Sequence, residues 1–467
     1  MPREEHGGAA PRPTPPAGGF ALEPPPKRPI IPPFKTAAPM RNRTITNPDQ
    51  DKISTADRQI LRDLGRRILE IAADPVNLER KRLWYLLDEG RSERPMVLCE
   101  PAVAWESAPD SRNLKCQNER ARGLERDLRY HLWGFEKIRD DYVIEPRITC
   151  NWRVQTGNYG VEVKTEWATK ADLGNVASRH WDPPIKDFDR DFDKLRPRTF
   201  SVDRDATFAE KARLEEIFGG ILPVEIRGGF YWTLGMTGTA IELVGLENLM
   251  LSMYTQPKGL HRLMAFLRDD HMAFIDWLEK ENLFRLNNEN DYTGSGSIGY
   301  TRALPRPDWK PGDPVRPRDL WVLSESQETV GVGPQQFEEF VFQYQQPIIE
   351  RFGRSYYGCC EPLHTRWHVV KKLSNLKRVS ISPWCDEAFM AEALGRDYVY
   401  SRKPKPTLIS TERFDEDAIR ADLRNTLAVA RGCNVELIMK DVHTLSGQPH
   451  RMARWVELAR EVIAETA

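Results

Sequence analysis

Between Ser355 and His364 the chain reads Ser-Tyr-Tyr-Gly-Cys-Cys-Glu-Pro-Leu-His. Two thiols, a carboxylate and an imidazole follow one another there: Cys359, Cys360, Glu361 and His364. Thiolate and imidazole suit zinc, and a carboxylate can complete its shell. Free cysteine is also a common core residue, so a buried apolar pair is an equal alternative from this strip alone. Near the other end, Met439, Asp441 and His443 alternate, which on an extended strand places them on one side. An imidazole beside a carboxylate is a frequent metal-ligand arrangement. Taken alone, His443 reads more readily as a loop histidine bonded to backbone. Cys359, Glu361 and His443 together, with Cys360 as a further candidate, would hold a metal and leave a position open for substrate. Cys359 and Glu361 share a face if their strand stays extended, and Cys360 then points into the wall unless the Pro362 turn redirects it.

These residues need a scaffold that brings distant strands to one place. Short apolar runs end in polar residues at Met96–Glu100, Leu320–Gln327, Tyr356–Glu361, Val379–Pro383, Tyr398–Tyr400 and Val435–Val442. Further strand-like runs are 141–146, 221–226 and 283–291. Amphipathic helical patterns separate many of them, as at 259–280, 415–431 and the C-terminal stretch carrying Met452, Trp455, Val456 and Ala459. Gly333-Pro334 opens another, since proline suits a first helical turn. Strands alternating with helices predict an α/β fold with a parallel sheet, and a count near eight predicts a (β/α)8 TIM-type barrel. Its site lies at the strands' C-terminal ends. Glu100, Asn288, Gln327, Glu328, Trp384 and Asp441 are expected there beside the cysteines.

The remaining segments divide simply. Twelve of the 35 prolines precede Met40, so residues 1–45 predict an extended, disordered tail. Residues 46–94 predict an N-terminal helical extension, with Ile60, Leu64 and Ile68 on one face behind a Ser54/Thr55 cap. Residues 95–467 form the barrel, with an insertion at about 151–207 covering its mouth. Gly294-Ser-Gly-Ser-Ile-Gly299 has the spacing of a phosphate loop but no strand-to-helix setting, and is expected to be a mobile loop. Ser401–Lys405 is expected to be a solvated basic loop.

With 68 basic and 69 acidic residues, the chain is nearly neutral, which gives no support for nucleic acid as a partner. No apolar run is long enough to span a membrane, and the start lacks a signal-peptide pattern. Seven cysteines, an odd number, argue for reduced thiols in a cytoplasm. A homodimer is compatible with all of this.

The order Arg94-Pro95, Gly333-Pro-x-x-Phe-Glu-Glu-Phe340, Tyr357-Gly-Cys-Cys-Glu-Pro-Leu363, Ser380-x-Ser-Pro-Trp384 and Lys440-Asp-x-His-Thr444 resembles the uroporphyrinogen decarboxylase superfamily over roughly residues 55–467. That resemblance implies a (β/α)8 barrel and either of two activities. Decarboxylases of this type use no cofactor and grip substrate carboxylates with an Arg-rich motif after the first strand. Here Glu100-Pro-Ala-Val-Ala-Trp105 stands in its place. The other members are zinc methyltransferases that exchange a methyl group between a corrinoid protein and a thiol or other acceptor. Their His-x-Cys pair falls on Tyr357 and Cys359, and their later cysteine ligand falls near His443. The expectation is therefore a zinc methyltransferase working with a corrinoid protein on a small methyl donor or acceptor. Glu328 or Asp441 would move a proton or orient ligands, and Glu100, Asn288, Gln327 and Trp384 would contact substrate. A metal-free decarboxylase and a non-catalytic corrinoid- or porphyrin-binding barrel are the alternatives.

Overall fold

The computed structural model describes residues 53–167, 179–227 and 234–466. The expected tail, 1–45, and the middle of the expected insertion lie outside these residues. Ser54 caps the first helix, Thr55–Ala72, by accepting from Asp57 N at 3.0 Å. Asp74 caps the second, Pro75–Asp88, which carries proline at its start.

The strands, in chain order, are β1 (Met96–Cys99), β2 (Ile148–Cys150), β3 (Arg153–Thr156), β4 (Lys164–Trp167), β5 (Arg179–Asp182), β6 (Phe200–Asp203), β7 (Val224–Ile226), β8 (Tyr292–Gly294), β9 (Ser297–Ile298), β10 (Trp321–Ser324), β11 (Arg354–Tyr357), β12 (Leu376–Ile381), β13 (Val399–Arg402) and β14 (Asn434–Met439). Six of them form one sheet in the order β1-β14-β13-β12-β11-β10, and every pairing in it is parallel. Helices follow each of β10 to β14. A parallel sheet covered by helices is buried on both faces, which explains the uniformly buried β1, β10, β13 and β14. The protein is thus α/β with a central parallel sheet. Among the described residues, no helix is long and apolar enough to cross a membrane.

Two expected strands, 141–146 and 283–291, form no ladder, and the short β8–β9 hairpin begins just after the second, at Tyr292. Side chains meet the sheet edges instead. Asp141 accepts from Val97 N at 2.8 Å, its own N–H donates to Val97 O at 2.7 Å, and Asp140 accepts from Cys99 N at 2.9 Å. At the other edge, Asn287 Nδ2 donates to Trp321 O at 3.0 Å and its Oδ1 accepts from Trp321 N at 2.9 Å. An apolar run predicts a strand only while the backbone provides the partners, and here carboxylate and amide groups replace them.

The described parts of the insertion form the antiparallel hairpins β3–β6 and β4–β5. They lie against the helices Met236–Val244 and Pro257–Lys280: Trp181 Nε1 donates to Ile241 O at 3.1 Å, and Arg198 pairs with Asp270 at 2.6 Å.

Because Asn287 satisfies two buried backbone groups at once, Asn287→Ala should cost on the order of 2–4 kcal/mol. Among the described residues, the Asn288 side chain donates to Leu304 O alone, and its alanine variant should cost less than ~1.5 kcal/mol. Urea unfolding of both compares them, and equal costs would contradict the edge role of Asn287.

Candidate functional site

Parallel strands share one C-terminal end, so the residues that follow β1, β10, β11, β13 and β14 gather on one side of the sheet. They are Glu100, the stretch Glu325–Glu328, the cysteine pair, Lys403, and Lys440 with Asp441. The β8–β9 hairpin joins them.

β11 stops at Tyr357, and Gly358 follows at φ +101°. A side chain at Gly358 would be strained by that backbone and would meet Leu363 Cδ1 at 2.7 Å. The expected extended run through Glu361 is therefore broken, and Cys359 and Glu361 do not share a strand face. Cys360, expected in the wall, is exposed, while Cys359 is half-buried. Their sulfurs stand 3.7 Å apart. Their mutual contact, with burial, pushes the Cys359 thiol up, and the same contact pulls the Cys360 thiol down.

Glu361 is fully buried, and its two oxygens face backbone. Oε1 accepts from Ser326 N at 2.8 Å and Oε2 from Cys359 N at 2.9 Å. This carboxylate brackets the end of β10 to the end of β11. Beside it, burial together with Glu328 and Glu361 pushes the carboxyl of Glu325 well up. Glu328 accepts from Thr237 Oγ1 at 2.7 Å.

The Gly294–Gly299 segment, expected to be a mobile loop, is a hairpin packed into the site. Thr293, Ser295, Ser297 and Ile298 are all buried. A Cβ at Gly294 would fall 2.4 Å from the Tyr356 ring, and one at Gly296 would fall 2.7 Å from Ile438 Cγ2 and 3.4 Å from Glu100 Oε1. The two glycines thus allow the hairpin to touch β11 and β14. Ser295 Oγ lies 3.9 Å from Cys359 Sγ.

The basic run also differs from its expected solvated state. Ser401 and Arg402 belong to β13, and Ser401 to Pro404 are buried. Lys403 donates to Ser401 O at 3.0 Å and to the hydroxyls of Tyr356 and Ser401. Burial pushes its pKa down to about 7. Lys440 is buried too, but its pKa moves the other way. Burial would lower it, yet Glu100, Tyr292 and Asp441 outweigh that effect and raise it. Burial in turn pushes the Glu100 carboxyl up.

β14 ends at Met439, and Asp441 adopts φ +58°. The predicted alternation of Met439, Asp441 and His443 on one extended face fails at this turn. Asp441 stays near, 3.4 Å from Lys440 Nζ, while His443 is exposed beyond it. Among the described residues, no group of three or more His, Cys, Asp or Glu side chains is arranged to hold a metal ion. Gln327 is a near neighbour of Glu328, at 3.5 Å. Asn288 is bonded to Leu304 O, Trp384 is 67% exposed, and His364 Nδ1 accepts from Asp386 N at 3.1 Å. Sequence reasoning passed over Lys403, Tyr292, Tyr356 and Ser295. A lysine directly following the short strand Val399–Arg402 was the signal for Lys403.

Neither a protein-family model nor a curated protein sequence matches the chain. Among solved structures it is similar to a methyltransferase from Methanosarcina mazei, at 11% identity over 82% of this chain and 98% of that one, with a TM-score of 0.45.

A lysine whose folded pKa is about 7 releases a proton that the unfolded chain, with a lysine pKa of ~10.4, retains. The unfolded state then binds more protons between these values, so Lys403 makes stability rise with pH by up to ~1.4 kcal/mol per unit in that window. Below the window both states are protonated and the burial penalty is felt in full. Lys403→Met should therefore gain more over wild type at pH 7 than at pH 9, where part of the advantage is gone. Urea unfolding at both values checks it, and a pH-independent difference would contradict the assignment.

Proposed function

We propose that this chain is a methyltransferase of the zinc- and corrinoid-dependent kind, built on a uroporphyrinogen decarboxylase-like barrel, with Cys359 and Cys360 at its centre. The observation that carries the reading is the sulfur–sulfur distance. Two thiolates bound tetrahedrally to one zinc at ~2.3 Å stand ~3.8 Å apart, and here the separation is 3.7 Å. The pair thus fits two positions of such a shell. Glu361, expected to be a third ligand, has both oxygens engaged by Ser326 and Cys359 N–H groups. Asp441 and His443, on the exposed turn after Lys440, are the groups left to complete it.

Zinc at this place would supply Lewis acidity and lower the pKa of a bound thiol. The protein's own groups do the rest. Lys440 places a positive charge near the sulfurs and favours their thiolate forms. Glu328, fixed by Thr237, accepts the proton that a thiol acceptor gives up. Glu325, whose carboxyl burial and its acidic neighbours push up, is placed to give a proton to a departing group. The β8–β9 hairpin closes over Cys359 and excludes water from that side. The methyl group would be exchanged with a corrinoid carried by a separate protein.

Metal analysis of protein purified under reducing conditions and reconstituted should find about one zinc per chain. Cys360→Ser should weaken zinc binding by more than ~100-fold. Anaerobic incubation with methylcobalamin and a small thiol should give the thioether, and the same variant should abolish it. Absence of zinc, together with conversion of uroporphyrinogen to coproporphyrinogen by the metal-free protein, would replace this reading with the decarboxylase.

A further inference from the structure

The cysteine pair has a second property that does not depend on methyl transfer. Cys359 and Cys360 are neighbours in the chain, and of the seven cysteines no other two are adjacent. Their sulfurs already stand 3.7 Å apart, in the turn that follows Gly358 at φ +101°. Their exposure differs. Cys360 is open to solvent, and Cys359 lies deeper, beside Ser295. An incoming reagent therefore reaches one sulfur first and leaves the other within range to react next.

We propose that Cys359 and Cys360 form a reversible vicinal disulfide, making this turn a redox modification site for oxidants of the small-disulfide class. The step balances as a double exchange. Cys360 releases its proton to solvent, and its sulfur attacks one sulfur of the oxidant. That breaks the oxidant's S–S bond, expels one thiolate and leaves a mixed disulfide on Cys360. Cys359 then gives up its proton and attacks Cys360 Sγ, expelling the second thiolate. The protein loses two electrons and two protons, and the oxidant ends as two thiols.

Closure must shorten the separation to ~2.05 Å. Adjacent Cα atoms across a trans peptide are ~3.8 Å apart, below the ~4.4–6.8 Å usual for disulfides. The ring is therefore strained, and strained, exposed disulfides are the readily reduced ones. The bond suits a reversible state and not a permanent staple. Its formation removes both free thiols, so any chemistry that needs them stops until a reductant returns.

The test uses the full chain treated with a chelator, exposed to oxidised glutathione, then alkylated and mapped by mass spectrometry. Two of the seven thiols should escape alkylation. The peptide spanning Ser355–Arg366 should lose the mass of two hydrogen atoms, and dithiothreitol should restore it. In Cys359→Ser the reaction should stop at a glutathione adduct on Cys360. Full alkylation of both cysteines in the wild type, or a lasting glutathione adduct on it, would overturn the proposal. The zinc reading is judged by metal content, so each can fail without the other.

Discussion

The pairing of the first sheet strand with the last holds the arrangement together. β1 lies parallel to β14 in the register Met96↔Glu436 to Cys99↔Met439. More than three hundred residues separate the partners, so loop closure must be offset by burial elsewhere. Both strands are buried throughout, and the C-terminal helix His450–Thr466 packs on β1 through the same core. That register places Glu100, one residue past β1, beside Lys440, one residue past β14. Glu100 N donates to Met439 O at 2.9 Å, which carries the pairing one step beyond the strand. Lys440 in turn supplies the positive charge near Cys359 and Cys360.

Charge inside the sheet is managed by a second network one layer deeper. Arg378 is fully buried on β12 and lies 3.6 Å from Glu436 on β14 and 3.7 Å from Asp88 at the end of the second helix. It also donates to Ser297 Oγ at 2.6 Å and to Ile298 O. Removing one member of such a network leaves a buried charge unpaired and costs ~3–5 kcal/mol. The network explains why the β8–β9 hairpin sits against the sheet despite having few residues of its own. Among the described residues, no carboxylate forms an ion pair with Lys403 as Glu436 and Asp88 do with Arg378. Lys403 donates to hydroxyl and carbonyl oxygens, and burial outweighs the pull of Glu436 and Asp441, so its pKa falls. The two lysines, close together and shifted in opposite directions, differ in their partners more than in their burial.

Periodicity gave the alternating α/β order, the sheet strands near 96, 321, 355, 379, 399 and 435, and the long helix before Leu283, because those elements bury one continuous apolar stripe or run. It overstated the strands at 141–146 and 283–291, where Asp140, Asp141 and Asn287 satisfy the backbone from their side chains. It also extended β11 and β14 too far. Gly358 and Asp441, both at positive φ, end those strands one or two residues past the apolar run, and a face argument across such a turn loses its meaning. The cysteine pair was legible from composition alone. Glu361 was legible as a candidate metal ligand but not as a bracket between two strands, since its partners are backbone groups of Ser326 and Cys359. The glycines at 294 and 296 looked like looseness. In the fold they permit contact closer than any side chain would.

A double-mutant cycle on Glu100 and Lys440 tests this account most directly. Glu100→Gln, Lys440→Met and the pair are compared by urea unfolding at pH 7. If the β1–β14 register brings the two groups together, the double variant should be more stable than the summed single losses allow, by at least ~1 kcal/mol. Additivity within ~0.5 kcal/mol would mean that the two side chains do not meet, and would contradict the convergence on which the site is built.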